Sequence, residues 1–162
     1  MAAILVELFR HNTWANLRLF DACAGLSDEH LGASAPGTYG RAGDTLVHLV
    51  AAQERYLALL TGTQPESTSR EGDPFPGVPA LREQARRSGE VLEAVAARTR
   101  PTRVLRGVRR GEPFAIPATT VLIQAINHAT EHRAHVATVL SQRGVQPPVM
   151  DGWVYGEAAA GR

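Results

Sequence analysis

The chain has 162 residues, 44% hydrophobic and 20% charged, with 17 basic and 16 acidic side chains and a formal net charge of +1. That is the size of one domain with apolar content enough for a core, which excludes a disordered, collagenous or fibrous protein. The near balance of charge excludes an overall field that would make nucleic acid or an acidic membrane the main partner.

A first helix is expected from about Ala2 to Ala24, with apolar residues at Ile4, Leu5, Leu8, Ala15, Leu19 and Ala22 and a stop at Gly25. Glu7 interrupts its opening apolar run and no basic segment precedes it, so no signal peptide is expected and the chain reads as soluble and cytoplasmic. Cys23, the only cysteine, excludes an intrachain disulfide and a cysteine zinc site. It follows Leu19, Phe20 and Ala22 in the apolar pattern, which favours a core thiol over a nucleophile. Ser27 to His30 reads as the start of a short extra turn.

The second helix is expected from Arg41 or Asp44 to Leu60, ending at Thr61-Gly62. Thr63 to Pro79, with four prolines and two glycines, is a loop. The third helix spans about Ala80 to Arg98, and its seam of Leu81, Ala85, Ser88, Leu92 and Val95 has the spacing of a bundle helix. Val104 to Phe114 carries a weak signal for a small hairpin around Arg110-Gly111. The fourth helix starts near Thr119 or Thr120, both good N-caps, and ends at Gly144. Pro147-Pro148 forbids further helix, and Met150 to Tyr155 reads as an apolar tail returning to the body. The longest uncharged stretch, Pro113 to Thr130, holds Gln124, Asn127, His128 and two prolines and is no membrane span. The fold class is therefore all-α, a four-helix bundle in one domain over 1–162, with long linkers that leave the helix order open.

Three of the six histidines fall within eight residues, at His128, His132 and His135. On a helix His132 lies about 40° from His128 and one turn on, and His135 about 20° to the other side and two turns on. They sit beside the apolar stripe of Leu122, Ile126, Ala129, Val136 and Leu140, at the edge of the core. An i, i+4 pair presents two imidazoles to one point, as in metal-binding helices, but a catalytic ion held by three protein ligands needs one more donor from a facing helix. His48 is the candidate, with Ala51, Ala52, Arg55 and Leu59 on its face; Ala52 and Arg55, with His135, are candidate pocket residues. Spacing alone does not bring His48 to the other two. Asp44, one turn before His48, either orients that imidazole or favours the helix N-terminus. Glu131 points about 100° away from His132 and is not assigned as a base. Arg133 falls near the core stripe, and His11 and His30 read as surface or packing residues.

Every basic residue is Arg, so lysine chemistry is absent. Arg98, Arg100, Arg103, Arg106, Arg109 and Arg110 form a run without an acid, which reads either as a solvated linker or as a phosphate-contacting segment. The absence of interleaved aromatic residues favours the linker. A third class is a non-catalytic bundle whose metal or dimer seam is structural, with Trp14 and the Trp153-Val-Tyr155 tail over that seam or simply packed on the core.

His11-Asn12-Thr-Trp14-Ala15-Asn16, Asp44-Thr-Leu-Val-His48, Asn127-His128-Ala-Thr-Glu-His132-Arg133 and the Gly144-Val-Gln-Pro-Pro tail together resemble the DinB/YfiT-like superfamily, in its order and over essentially the whole chain. One departure is His135, where many members carry Gln. The resemblance implies an up-down-down-up bundle, often a homodimer, with one divalent ion held by His48, His128 and His132. The expected ion is zinc or nickel, with iron or manganese next, although three imidazoles by themselves suit zinc, nickel, iron and copper alike. Characterised members include transferases using low-molecular-weight thiols such as mycothiol or bacillithiol, and a maleylpyruvate isomerase. The expected chemistry is activation of a thiol for transfer to a small-molecule substrate, with metal-dependent hydrolysis as the competing reading.

Overall fold

In the computed structural model, which describes residues 2–64, 69–109 and 111–161, the expected helices are all present. They are α1 (Ala2–Cys23), a one-turn α2 (Asp28–Leu31), α3 (Ala42–Thr61), α4 (Val78–Arg98), α5 (Ala118–Gln142) and α6 (Gly152–Ala160). Their ends follow local chemistry. Ser27 Oγ accepts the His30 N–H and so opens α2. Gly62, at φ 78°, takes the left-handed turn that ends α3 and donates its N–H to Ala58 O at 2.7 Å. Pro79 sits in the first turn of α4, where its missing N–H costs nothing.

The weak hairpin signal corresponds to β1 (Val104–Arg109) and β2 (Glu112–Pro117), paired antiparallel with Arg109 opposite Glu112 and Gly111 at φ 84° in the turn. Gly107 is required opposite Phe114, whose ring would lie 2.9 Å from an added Cβ. The second strand runs directly into α5, and this corrects the expected start. Ala118 N–H donates to Arg103 O, Pro117 is the N-cap, and Thr119 and Thr120 lie inside the helix. The expected apolar tail is also corrected. Asp151 Oδ1 accepts from the N–H groups of Trp153 and Val154 at 3.0 and 2.9 Å, and so starts the nine-residue α6.

Helix α1 packs mainly on α4 and α3 mainly on α5, while α3 also meets α4 and α1 meets α5. The core divides into two apolar clusters. One contains Leu19, Phe20 and Cys23 of α1, Leu46, Val47, Leu49 and Val50 of α3, Leu81 and Ala85 of α4, and Val136 and Leu140 of α5. The other contains Phe9, Leu57, Leu60, Leu92, Val95, Val121, Leu122 and Ala125, with Leu105 of the hairpin. Each of the four long helices also contributes buried polar residues: Asn12 and Asn16 of α1, Gln53 of α3, Ser88 of α4 and Arg133 of α5.

The expected face of α1 is buried at Ala15 and Leu19 but not at Ile4 and Leu8, and this polar belt explains the difference. Ile4 and Leu8 are 70% and 46% exposed, while Asn12, Thr13 and Asn16 are buried. Arg133 donates to Asn12 Oδ1 and Asn16 Oδ1, both at 2.7 Å. The Asn16 amide donates to Gln53 Oε1 at 3.1 Å, and the Gln53 amide to Ala85 O and Ser88 Oγ. Hydropathy spacing cannot register that Asn12 and Asn16 are buried, because the groups that satisfy them lie on other helices. Cys23 is buried, and burial pushes its thiol up to about 12, as expected of a core thiol. Among the described residues no helix is long and apolar enough to cross a membrane.

Candidate metal centre

Helix α3 is anchored by Leu46, Leu49 and Val50 in the core, which leaves His48 on its α5 side, half-buried. Helix α5 is anchored by Leu122, Ala125, Ala129 and Val136, which turns His128 and His132 toward α3. The meeting that spacing alone could not establish is present in the structure. One ring nitrogen from each of His48, His128 and His132 lies within 4.8 Å of the others, a group that can hold a metal ion. His48 Nε2 and His128 Nε2 are 3.1 Å apart. Two imidazole nitrogens bound tetrahedrally to zinc at ~2.0–2.1 Å would be about 3.3 Å apart, so the observed spacing fits a shared ion.

The outward-facing nitrogens are held as well. Glu71 Oε1 accepts a hydrogen bond from His48 Nδ1 at 2.8 Å, which leaves the Nε2 lone pair facing His128. On the other side His132 Nδ1 lies 3.4 Å from His135 Nδ1. His135 is half-buried and stands behind His132, outside the three-nitrogen group. The Tyr39 ring stacks on His48 at 4.1 Å and meets His132 edge-on at 5.0 Å, while Tyr56 meets His128 edge-on at 5.7 Å.

Burial, reinforced by the neighbouring imidazole His48, pulls His128 down to about 4; burial and then His128 and His48 do the same to His132. Both rings are therefore neutral at pH 7, the form that coordinates a metal. Burial acts to raise the Glu71 carboxyl, but its hydrogen bonds from His48 and Arg55 outweigh this and leave it below the usual carboxylate range.

The other candidates fall in different places. Asp44 is exposed in the first turn of α3, and the His48 nitrogen it was weighed for is bonded to Glu71. Arg55 reaches the site through Glu71, donating to Oε1 at 3.0 Å. Ala52 is 1% exposed and packed inside, away from any open surface. A cleft of about 230 Å³ opens beside Glu71 instead, lined by Ala51, Glu54, Arg55, Gln64, Ser69, Arg70 and Glu71. His30 hydrogen-bonds Ser27, and His11 Nε2 lies 3.0 Å from Met150 O, within an aromatic group of Trp14 and Tyr155 that docks the C-terminal segment. Trp153 is 86% exposed. Of the arginine run, Arg103 is tied to Leu60 O and Arg98 to Ala94 O, Arg110 lies outside the described residues, and so does the side chain of Arg109.

Glu71, Tyr39, Tyr56 and Glu54 were not singled out from sequence. Glu71 and Tyr39 lie in segments without periodicity, and nothing local marks them as neighbours of His48.

The model of the DinB family matches residues 1–162. Among solved structures, the chain is similar to a DinB-like protein from Bacillus cereus ATCC 10987, with a TM-score of 0.68 and 20% identity over 90% of this chain and 94% of that one. No curated protein matches it.

Proposed function

The chain belongs to the DinB family, and from that premise we propose that it is a divalent-metal protein whose ion is held by His48, His128 and His132 and whose work is to activate a nucleophile. The observation that carries the reading is the convergence of three imidazole nitrogens from two helices. His128 and His132, kept neutral by burial, have no apolar packing reason to face His48, 80 residues from His128 in the chain. A divalent ion bound by three neutral imidazoles keeps its full charge and lowers the pKa of a coordinated thiol or water toward neutrality.

The chain's own part is preorganisation. Glu71 fixes the His48 ring and its tautomer, and Arg55 fixes Glu71. His135 stands in the corresponding place for His132. Tyr39 and Tyr56 wall the imidazoles on two sides.

The ion is zinc or nickel in this reading, with iron or manganese next. The reaction is transfer of a low-molecular-weight thiol to a small electrophile, ahead of hydrolysis; a structural ion in a non-catalytic module is the remaining reading. The proposal extends to a single domain over 1–162 built as an up-down-down-up bundle, working as a cytoplasmic homodimer on a small molecule without nucleic acid. Support for the helix order comes from the core: α1 and α5 run from the Phe9 and Leu122 cluster to the Leu19 and Leu140 cluster, and α3 and α4 run the opposite way.

The test is metal content per chain in untagged protein beside His132→Ala. About one ion per chain, lost in the variant, is expected. No ion in either protein after reconstitution with zinc, nickel and manganese would overturn the reading. With the ion established, a thiolate absorption band in the cobalt-substituted protein on adding a thiol favours transfer, and ester turnover without thiol favours hydrolysis.

A further inference from the structure

His135 lies on α5 three residues beyond His132 and outside the three-nitrogen group. An i, i+3 pair is set side by side by the helix itself, so the two rings meet without help from tertiary packing. Their planes are inclined at 73° with centroids 5.2 Å apart, and the two Nδ1 atoms are 3.4 Å apart. Among the described residues His132 Nδ1 has no other hydrogen-bond partner. His132 is buried, so His135 takes the place that water would fill at an exposed ring.

A hydrogen bond between two ring nitrogens needs one donor and one acceptor, and a neutral imidazole has one ring proton to place. Its direction here follows from the protons of the whole group. His48 spends its proton on Glu71 from Nδ1, which leaves Nε2 as a lone pair. That lone pair is 3.1 Å from His128 Nε2, so His128 is the donor of this contact. If His132 also pointed an N–H inward, no lone pair in the group would be left to receive it. Its proton is satisfied only on the outward nitrogen, Nδ1, and His135 Nδ1 is the acceptor there.

We propose that His135 is the positioning residue of His132: by accepting from His132 Nδ1 it holds that ring in the tautomer whose Nε2 lone pair faces His48 and His128, and so supplies the third ligand. The inference deepens the metal-centred reading and rests on it for the ion, but the tautomer belongs to the metal-free protein. The outer partners of the two helices differ in kind. The Glu71 carboxylate only accepts and fixes His48 in one tautomer, whereas the His135 imidazole both accepts and donates, so the third ligand depends on which edge of His135 is presented.

The test uses the full chain at pH 8 as parent, His135→Gln and His135→Leu. Long-range proton–nitrogen NMR on the metal-free proteins reads which nitrogen of His132 carries the proton, and a chelator competition reads zinc affinity. The proton is expected on Nδ1 in the parent and in His135→Gln, whose side-chain oxygen still accepts, and spread over both nitrogens in His135→Leu. Zinc affinity should fall ~10–100-fold in His135→Leu, the usual cost of losing an outer partner, and recover in His135→Gln. A His132 proton on Nε2 in the parent would overturn the proposal without any variant. Gln as weak as Leu would do so too, since His135 would then act by its shape and not by its acceptor. Undiminished zinc affinity in His135→Leu sinks the proposal alone; no zinc uptake even by the parent sinks the metal-centred reading and the proposal with it.

Discussion

His132 and Arg133 are consecutive on α5 and almost equally buried, at 5% and 4% exposure, yet they enter polar groups of opposite kind. Arg133 sits in the polar belt, where its guanidinium meets Asn12, Asn16 and Thr130 and the network continues through Gln53 to Ser88. Burial pulls Arg133 down to about 10, so it is still charged at neutral pH, and the oxygens it meets are filled by its donors. His132 joins a group in which ring nitrogens face ring nitrogens and acceptors outnumber donors. A saturated buried network ties helices together; an unsaturated one is poised for something the chain does not supply. Burial does not separate the two cases, whereas donor and acceptor accounting does.

The largest effect should come from breaking the closed network. In Arg133→Leu, Asn12 Oδ1 and Asn16 Oδ1 lose their donor inside the core, at ~1–3 kcal/mol each. A loss of about 2–5 kcal/mol is expected in urea unfolding of the metal-free protein, because the damage is to the fold. An unchanged midpoint would mean that relief of the buried charge offsets the lost bonds, and the contrast drawn between the two groups would fail.

A pH titration of the metal-free protein sharpens the contrast. His128 and His132 titrate at about 4 in the folded protein and near 6.5 in the unfolded chain. The unfolded state therefore takes up protons first, and the stability these rings contribute is present above 6.5 and lost as pH falls toward 4. Glu54 acts in the opposite sense: raised to about 7, it favours the folded state below about 4.5 and loses that contribution as pH rises through 7. In a Glu54→Gln background a decline of a few kcal/mol between pH 6.5 and 4 is expected, followed by urea midpoints at each pH. The belt holds no group that titrates in this window, so adding Arg133→Leu should lower the curve without changing its slope. A slope that disappears with Arg133→Leu would show the two groups to be one.

The parts legible in sequence are those set by local geometry. The i, i+4 relation of His128 and His132 is fixed by the helix itself, as are the Gly62 stop and the seam of α4. Partnership with His48 needs the packing of α3 on α5, for which periodicity supplies faces but not contacts; the family resemblance supplied it. Glu71 and Tyr39 come from connecting segments whose path over the helices is set by tertiary contacts. The belt misled the reading of α1, because Asn12 and Asn16 look solvated until Arg133 is brought to them. Helix α6 was missed because its one clear signal, Asp151 as N-cap, follows two prolines and precedes only nine helical residues.

The smallest effect tests whether the open group is organised from outside. Glu71 holds the His48 ring by its far nitrogen and is itself held by Arg55 and Tyr39. In Glu71→Gln the oxygen still accepts from His48 Nδ1, while the negative charge that strengthens the bond is gone. Loss of such an outer partner typically costs ~10–100-fold in metal affinity. Because the substitution keeps an acceptor, the lower end, about 10-fold, is expected in a competition titration with a zinc chelator. Glu71→Ala should approach the upper end, with the urea midpoint of the metal-free protein moving little, since Glu71 is exposed over much of its surface. If both variants bind zinc like the parent, His48 is oriented by α3 and the Tyr39 stack alone. The open group would then owe its geometry to the same rigid helices that carry the closed one.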